Sequence, residues 1–578
     1  MSRRILRRAI NEESLPASAA NLHPALRRVY AARGIERAED LDLGLDRLLP
    51  VGSLGGVDAA VDLLLACHRN GGKVLVIGDF DADGATSTAV VLRQLRRLGF
   101  ADPGFLVPDR FKFGYGLTPE IVRVAAQMRP ALIVTVDNGV SSVEGVAEAG
   151  RSGISVLVTD HHLPGHVLPD AAAIVNPNLS GERFASKSLA GVGVAFYVMA
   201  ALTRRMRETG LVDAGAEVNP ADLLDLVALG TVADVVRLDL NNRILVAQGL
   251  RRIRAGRCAA GLRALLEVAG RRLEGLAAQD LGFQAGPRLN AAGRLEDMSL
   301  GIECLLTDSA VEAKELAARL AQLNSDRREL ESRMQEQALG KLDALLASLD
   351  GRMPAGLCLF DAGWHQGVIG LVASRIKERV HRPVIAFAPG DAGWVKGSAR
   401  SVPGVHVRDA LDAVATRHPG LLTKFGGHAM AAGMTMRETM LGEFERAFAE
   451  EVERRIDPDT LTGDLHTDGP LLAGEFNAET AAALREAGPW GSGFPEPTFD
   501  GLFGVVDTRI VGGRHLKLRL KAASGEFVDG IAFRYLDDAG APALRPQQDV
   551  EMVYRPALDE YTGARRLQLV SEWLRPLP

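Results

Sequence analysis

The sequence predicts an α/β protein with a parallel-sheet domain, a smaller α/β domain and a C-terminal β-barrel. In the first half of the chain, apolar runs of strand length at 74–77, 132–136, 154–158 and 173–175 alternate with helical spacing. This alternation is typical of a doubly wound parallel sheet that is buried on both faces. The 578 residues leave room for three or four domains of ordinary size.

The composition excludes several classes of protein. Hydrophobic residues make up 47% of the chain and charged residues 24%, which excludes a disordered or fibrous protein. No apolar stretch approaches the ~20 residues of a membrane helix, and the scattered cysteines form no C-x-x-C pair. We therefore expect a cytoplasmic protein with no membrane contact. The net charge of −6 excludes a globally basic nucleic-acid binder but allows local basic grooves.

One long helix is predicted in the middle of the chain. Leucines recur there at three- and four-residue spacing, and Ser309 with Glu312 predicts a capping box at its start. A helix of about 60 Å is too long for one domain, so we expect it to connect two. A coiled-coil dimer would need more regular heptads. The predicted segments are an N-terminal helical segment (1–45), the parallel-sheet domain (46–308), the connecting helix (309–349), the smaller α/β domain (350–456) and the barrel domain (457–578).

The last segment carries short strands separated by turns. About five strands fit a small antiparallel barrel of the oligonucleotide-binding (OB) type, although composition alone also allows a sandwich. A glycine-rich run at 426–433, before this segment, predicts a turn. The predicted strands are 503–506, 516–520, 527–533, 550–554 and 566–570.

Acidic and histidine side chains follow three neighbouring strands of the predicted parallel sheet. Ligands of open α/β sheets bind outside the carboxyl ends of the strands, so these side chains should meet in one crevice. Mixed carboxylate and imidazole ligation without thiolates suits Mn²⁺ or Mg²⁺, and two such ions could serve an in-line phosphoryl displacement. The residues are Asp79, Asp81 and Asp83 after the first strand, Asp137 after the second, and Asp160, His161 and His162 after the third.

Each feature alone has a simpler explanation. An Asp-Gly pair after a strand is often only a turn or a helix cap, and a His-His pair is often a packing feature. The string DADGAT at 81–86 also approaches the strand-end motif of HAD-type phosphatases. That alternative leaves the histidines at 161 and 162 unexplained. The coincidence at three strand ends favours a metal site.

Four motifs resemble, in order, those of the DHH phosphoesterase family: GDFDADG at 78–84, VDNGV at 136–140, DHH at 160–162 and GTVAD at 230–234. Within it, the chain most resembles the RecJ exonucleases, bacterial enzymes that digest single-stranded DNA from the 5′ end. The resemblance covers nearly the whole chain and implies a DHH domain, a connecting helix, a DHHA1 domain and an OB-fold. The further motifs are GPRLNAAGR at 286–294, GWHQGVIG at 363–370, GSARS at 397–401 and GGH at 426–428.

The resemblance also implies roles for the motif residues. Asp137 would bridge the two ions, His162 would face the scissile phosphate, and Asp160 would orient the histidines. Ile77 stands where some relatives have a histidine, so Asp79 is expected to supply that ligand. The implied metal ligands are Asp79, Asp81, Asp83, Asp137, His161 and Asp234, and the implied catalytic residues are Asp81, Asp83, Asp137, Asp160, His161 and His162.

Implied DNA contacts lie outside the metal motifs. Arg110, Ser398 and Arg400 would recognise a 5′ terminus, and Arg288, Asn290 and Arg294 would hold the backbone near the metals. The remaining implied contacts are Tyr115, Trp364, His365 and His428.

The expected product is the 5′-mononucleotide, in DNA recombination and repair. A single-strand binding protein and a helicase are the expected partners of a monomer. A DHH-type pyrophosphatase or short-oligonucleotide phosphodiesterase remains an alternative, but neither accounts for a terminal barrel. A non-catalytic single-strand binder is disfavoured because every motif carboxylate is present.

Overall fold

The computed structural model describes residues 3–109, 113, 116–212, 218–348, 353–456, 463–537, 544–559 and 565–577. Arg110 and Tyr115, two of the predicted DNA contacts, lie outside the described residues. The chain forms two compact units. The smaller unit comprises Met1–Leu6 and Gln322–Leu465, and the larger comprises Arg7–Ala321 and His466–Pro578.

The N-terminal segment contains one strand and one α-helix, with short 3-10 turns around them. Strand β1 spans Ile5–Arg7 and helix α1 spans Pro24–Ala32. The helix begins where proline occupies the first turn, a position that needs no donor N–H.

A five-stranded parallel sheet forms the centre of the larger unit, in the order β3-β2-β4-β5-β6. This confirms the predicted parallel-sheet class. Strands β2 and β4 are completely buried, and β2, β4 and β5 are neighbours, so their carboxyl ends meet at one edge. The elements are α2 Val57–Arg69, β2 Val74–Gly78, α3 Ala82–Arg97, β3 Gly104–Leu106, α4 Pro119–Gln127, β4 Leu132–Val136, α5 Val143–Arg151, β5 Ser155–Thr159 and β6 Ala173–Val175.

Helix α3 begins within the acidic segment that follows β2. It starts at Ala82, with Asp81 as its N-cap. Asp83 and Gly84 therefore lie in its first turn. Asp81 is well suited to an N-cap because its short carboxylate can accept from the N–H groups that have no partner within the helix.

A helical layer packs on the sheet, and α3 contacts α6, α7 and α12 of this layer. A π-helical turn, Leu281–Ala285, leads directly into α11. The helices are α6 Gly191–Glu208, α7 Leu224–Ala233, α8 Leu240–Arg254, α9 Ala260–Val268, α10 Ala278–Asp280, α11 Gly286–Leu295 and α12 Ser299–Leu306.

The predicted long helix is present as α13, Ala310–Ser348, and it runs from the larger unit into the smaller one. Only half of the expected capping box forms. The Ser309 hydroxyl accepts from the N–H of Glu312 at 3.3 Å. The Glu312 carboxylate instead accepts from the Thr307 hydroxyl at 2.5 Å.

The smaller unit contains a mixed sheet in the order β10-β11-β9-β8-β7, with β7 and β8 parallel. The glycine-rich run predicted as a turn forms the ends of two paired strands, where Gly426 pairs with Gly433. The elements are β7 Leu357–Phe360, α14 Ile369–Val380, β8 Val384–Pro389, β9 Trp394–Arg400, α15 Val407–Arg417, β10 Lys424–Gly427, β11 Ala431–Arg437 and α16 Leu441–Arg455.

The C-terminal strands close into a barrel, in the order β13-β14-β15-β17-β16, which confirms the barrel over the sandwich. One pair departs from the predicted antiparallel arrangement, since β15 and β17 are parallel. The elements are β12 Leu465–Thr467, α17 Ala478–Glu486, β13 Phe499–Val511, β14 His515–Ala522, β15 Phe527–Ala532, β16 Asp549–Asp559 and β17 Arg566–Pro576.

Among the described residues, no single helix is long and apolar enough to span a membrane. The pair Leu45–Ser53 and Val57–Arg69 passes on length and composition only when the two are taken together across a 78° bend.

Buried ion pairs join the N-terminal segment to the barrel domain within the larger unit. Arg33 pairs with Asp468, and their side chains are 2% and 0% exposed. Arg8 pairs with the same carboxylate at 3.2 Å. Arg28 pairs with Glu475 at 2.5 Å. A segment with one short helix is thus held to the barrel domain by charge as well as by packing.

We expect Asp468→Asn to destabilise the larger unit by about 3–5 kcal/mol, because it leaves the buried Arg33 guanidinium without its counter-charge. The measurement is thermal and urea unfolding of the full chain. The matched control is Asp102→Asn, since this carboxylate is 89% exposed beside Lys73 and should change stability by less than about 1 kcal/mol. Equal shifts for the two variants would show that the buried pair is not a stabilising contact.

Candidate metal centre

The loop after β2 and the first turn of α3 bring three carboxylates to the edge of the sheet. Asp81 accepts at Oδ1 from the N–H groups of Asp83 and Gly84, at 2.9 and 3.0 Å, and so caps α3. Asp79 accepts at Oδ1 from the N–H of Phe80 at 2.8 Å. A Cβ on Gly84 would lie 2.5 Å from the Asp79 carbonyl oxygen, so glycine is needed for this tight passage.

Asp83 is held by the N-terminus of α6. Its two carboxylate oxygens accept from the N–H of Gly191 at 2.7 Å and of Val192 at 2.9 Å. The positive end of the helix dipole favours the anionic carboxylate. Burial and the neighbouring charge of Asp81 outweigh these bonds and raise the pKa of Asp83 to about 7. The site therefore concentrates negative charge that protons or cations must balance.

Asp137 follows β4 in a left-handed backbone conformation, with a φ of 60°. The next residue fixes this turn, because the Asn138 side-chain amide donates to the Ile77 carbonyl at 3.1 Å and to the Val136 carbonyl at 2.8 Å. Ile77, where some relatives have histidine, is fully buried in β2. Burial and the charge of Asp83 raise the pKa of Asp137 well above its usual range.

The third motif is organised by Asp160. Its Oδ1 accepts from the N–H groups of His161 at 2.7 Å and His162 at 3.1 Å, and lies 2.8 Å from His162 Nδ1. Its Oδ2 accepts from the N–H of Val140 at 2.9 Å. Burial works against ionisation of Asp160, but the His162 hydrogen bond lowers the pKa of its carboxyl group. Burial likewise lowers the pKa of His162, but the hydrogen bond and charge of Asp160, together with the charges of Asp79 and Asp81, raise it above its usual value. In this geometry Asp160 orients the His162 ring.

Two asparagines that the sequence argument did not single out complete this loop. The Asn176 side-chain amide donates to the His162 carbonyl at 2.9 Å, and that of Asn178 donates to the His161 carbonyl at 2.6 Å. Both follow β6. In the sequence these asparagines appear only as the string NPN directly after a strand. Without knowledge of the fold, this string predicts a turn and nothing more.

Asp234 closes the site from the C-terminus of α7, where it is the C-cap. His161 Nε2 lies 3.0 Å from Asp137 Oδ1 and 3.5 Å from Asp234 Oδ2. Burial and the charge of Asp83 raise the pKa of Asp234 well above its usual range. The His161 imidazole therefore lies within 3.5 Å of carboxylate oxygens from both Asp137 and Asp234.

The ligand atoms fall into three groups, each within 4.8 Å, that overlap through Asp137 and His161. Buried like charges at such distances repel unless a cation neutralises them. Oxygen and imidazole donors suit Mn²⁺ and Mg²⁺. The residues present therefore fit a divalent-cation centre. The groups are Asp137, His161 and His162; Asp83, His161 and Asp234; and Asp79, Asp81 and Asp137.

Helix α11 supports the first loop from the other side. Asn290 Oδ1 accepts from the N–H of Ala82 at 2.7 Å, and so caps α3. A Cβ on Gly293 would lie 1.8 Å from the Phe80 carbonyl oxygen. Arg288 Nη1 donates to the Gln284 carbonyl at 2.7 Å, and Arg294 is half-buried. In the structure Asn290 therefore positions the start of α3, next to the carboxylates of the candidate metal centre. The sequence predicts for Asn290 only a contact with the DNA backbone.

In the smaller unit the side chains of Ser398 and Arg400 are in contact. Arg400 Nη1 donates to Ser398 Oγ at 3.0 Å and to the Ala399 carbonyl at 2.8 Å. A Cβ on Gly370, in the first turn of α14, would lie 2.7 Å from Arg400 Nη2 and 2.9 Å from Ser398 Oγ. A guanidinium, a hydroxyl and the start of a helix thus share one small region, which suits an anion.

The other predicted contacts of this unit are placed differently. Trp364 is 4% exposed, and its indole Nε1 donates to Gln337 Oε1 at 3.0 Å. This buried ring packs within the protein and is not positioned to stack on a base. His365 Nδ1 accepts from the N–H of Gly367 at 3.1 Å. His428 begins the turn between β10 and β11 and donates its N–H to the Ala431 carbonyl at 2.8 Å.

The barrel presents a basic face with exposed rings. On β14, Lys517, Arg519 and Lys521 alternate with buried residues, and the Lys521 and Arg519 cations lie 5.9 and 5.8 Å from the Phe527 ring. Phe527 and Phe533 are 55% and 56% exposed. Cations with exposed aromatic rings are typical of single-strand binding surfaces. The alternating string HLKLRLKA carried this signal in the sequence.

Comparisons with known proteins agree with this geometry. Family models for the DHH family N-terminal domain, the DHHA1 domain and the RecJ OB domain match residues 73–231, 353–456 and 467–572. The "Single-stranded-DNA-specific exonuclease RecJ" of Salmonella typhimurium is 51% identical over 579 residues, which cover 100% of this chain and 99% of that protein. The same protein of Escherichia coli is 51% identical, over 99% of each chain.

A solved structure is similar over the whole chain. The structure of RecJ from Thermus thermophilus in complex with Mn²⁺ is 32% identical, with a TM-score of 0.82, and the match covers 100% of this chain and 80% of that one. A structure of RecJ from the same organism in complex with Mg²⁺ has a TM-score of 0.75 at 30% identity, over 100% of this chain and 79% of that one. The chain therefore belongs to the RecJ family of DHH proteins.

Proposed function

We propose that this protein is a Mn²⁺- or Mg²⁺-dependent exonuclease that hydrolyses single-stranded DNA from the 5′ end to 5′-mononucleotides. The observation that carries the proposal is the set of overlapping carboxylate and imidazole groups at the strand ends. The relatives with this sequence are named single-stranded-DNA-specific exonucleases. The basic, aromatic face of the barrel supports a strand as substrate and disfavours a pyrophosphatase.

The ligand set supports two cations. Asp137 and His161 each belong to two of the three groups, as expected of residues that serve neighbouring ions. Divalent cations bound there supply Lewis-acid stabilisation for the in-line displacement at phosphorus. The T. thermophilus RecJ structures are titled as complexes with Mn²⁺ and with Mg²⁺.

The protein residues have separable roles in this proposal. The six expected ligands hold the cations, and Asp83 is pre-positioned by the α6 amides. Asp160 fixes the His162 ring through Nδ1. The hydrogen bond and charge of Asp160 raise the pKa of His162 and so favour the protonated ring, whose other nitrogen can donate a hydrogen bond to a phosphate oxygen.

The test of the activity uses strands labelled at either end, and a blunt duplex of the same sequence, with Mn²⁺ and then with chelator. We expect the single strand to be degraded and the duplex to resist. His161→Ala should reduce the rate by at least about a hundredfold, because removing groups that stabilise a transition state usually costs this much. Equal rates on both substrates would contradict the proposal, and full activity of His161→Ala would contradict the assignment of His161 to the metal centre.

Metal binding should also be visible without activity. Mn²⁺ at a hundredfold excess over its Kd stabilises the folded state by about 2.7 kcal/mol, which raises the Tm. We expect Asp137→Asn to abolish most of this rise. In chelator, the variant should be at least as stable as the wild type, because it removes one of several buried like charges. A variant that is unstable in chelator but still stabilised by Mn²⁺ would contradict the assignment, and Asp102→Asn serves as control.

Polarity is proposed to come from Ser398 and Arg400, because two cations will cleave any phosphodiester brought in line. A terminal phosphate carries up to two charges and an internal diester carries one. Charge-assisted bonds to Arg400 contribute about 1.5–3 kcal/mol, so Arg400→Ala should reduce the preference for a 5′-phosphate over a 5′-hydroxyl strand by roughly tenfold. The rates of both strands are compared by product gels. Product appearing first from the 3′ end, or equal slowing of both strands, would exclude this pocket.

The proposed cellular role and partners are inferred from the resemblance to the RecJ exonucleases. A monomer that works in the cytoplasm with a single-strand binding protein and a helicase, in recombination and repair, fits an exonuclease that needs separated strands. The four free cysteines, of which Cys67 and Cys304 are buried, support a reducing compartment.

A further inference from the structure

Two exposed apolar side chains lie on the segments that meet at the C-terminal end of α7, where Asp234 is the C-cap. Val235 directly follows Asp234, and Phe283 lies on the π-helical turn that packs against α7. Each is 69% exposed. Single exposed apolar residues are common on protein surfaces, so exposure alone does not indicate a function. Only the position and the backbone conformation of these two residues can indicate one.

Val235 occupies a conformation that a valine rarely adopts. Its φ is 60°, in the left-handed region. The residue that ends a helix in this way is usually glycine, because a β-branched side chain is strained there. The Val235 N–H donates to the Val232 carbonyl at 3.3 Å, which keeps the turn closed. A strained side chain that is also exposed adds nothing to the core, and strain of this kind concentrates at functional sites.

Phe283 is held in place by its neighbours while its ring faces solvent. A Cβ on Gly282 would lie 3.1 Å from Val232 Cγ1, and one on Gly286 would lie 3.1 Å from Ala233 Cβ. The π-turn therefore lies directly against the last turn of α7. Arg288 closes it by donating to the Gln284 carbonyl at 2.7 Å. π-Helical turns of this kind often occur at functional sites.

We propose that Val235 and Phe283 form a base clamp that packs on an unstacked nucleobase of the strand whose phosphate is cleaved. This inference rests on the proposed function. Val235 and Phe283 present exposed apolar and aromatic surface, which suits contact with a base rather than with a phosphate. Stacking on an aromatic ring needs no particular base, which suits an enzyme that digests any sequence. A duplex keeps its bases paired and offers none to the clamp.

The test compares two oligonucleotides of equal length, one normal and one in which three nucleotides at each end lack bases. Phe283→Ala and Val235→Gly should each slow degradation of the normal strand about tenfold and leave the abasic strand almost unchanged. Val235→Gly should also leave the Tm unchanged or raise it, because glycine relieves the left-handed strain. The control is Leu211→Ala. Leu211 is 41% exposed beyond the far end of α6, an 18-residue helix about 27 Å long that begins at the metal site.

The outcomes separate the clamp from the activity itself. Equal slowing of both oligonucleotides, or no slowing, would overturn the clamp. If the wild type degraded neither strand, the proposed function would fail. Equilibrium binding in chelator would then decide on the clamp, because only a clamp makes Phe283→Ala weaken binding of the normal strand more than of the abasic one. If the two variants degraded both strands normally but no longer bound a protein that the wild type binds, Val235 and Phe283 would form a protein-docking surface. That result would also overturn the clamp.

Discussion

The hydrogen bonds from the first amides of α6 to Asp83 are the contact on which the rest of the centre depends. They join the first turn of α3 to a helix that comes more than a hundred residues later. The same helix start approaches Asp137 closely, since a Cβ on Gly191 would lie 2.7 Å from Asp137 Cβ. Two carboxylates from neighbouring strands are thus brought together by one helix terminus. Because that terminus carries partial positive charge, it offsets part of their repulsion.

The burial of several carboxylates close together destabilises the fold locally at this site. Burial and mutual repulsion raise the pKa values of Asp83, Asp137 and Asp234, so the anionic forms are unfavourable until a cation binds. The fully buried strands β2 and β4 and the helices that pack on α3 supply the apolar burial that offsets this cost. Because metal ligation requires deprotonated carboxylates, these raised pKa values make cation binding compete with protonation.

The sequence predicted the strands of the parallel sheet and the gathering of acidic and histidine side chains at one of its edges, because both follow from short-range patterns. Apolar runs defined the strands, and strand ends in a parallel sheet meet at one edge by geometry. The supporting contacts of Asn138, Asn176 and Asn290 could not be predicted, since each joins groups that only the tertiary fold brings together. Trp364 shows that a family motif can mark a residue whose side chain is buried in the fold. A family motif marked it as a DNA contact, but its ring is buried against Gln337. Arg110 and Tyr115 stay predictions because they lie outside the described residues.

Helix α11 couples substrate contact to metal geometry through rigid contacts. At one end Arg288 closes the π-turn that carries Phe283, and two residues later Asn290 caps α3, the helix that carries Asp83. Gly293 lies against the carbonyl of Phe80, so the helix cannot shift by a side-chain width without disturbing the loop of Asp79 and Asp81. A strand that pulls on the π-turn therefore acts on the same rigid element that sets the ligand positions. Substitutions in α11 should then alter substrate affinity and metal affinity together, whereas changes on the barrel face leave the metal centre untouched.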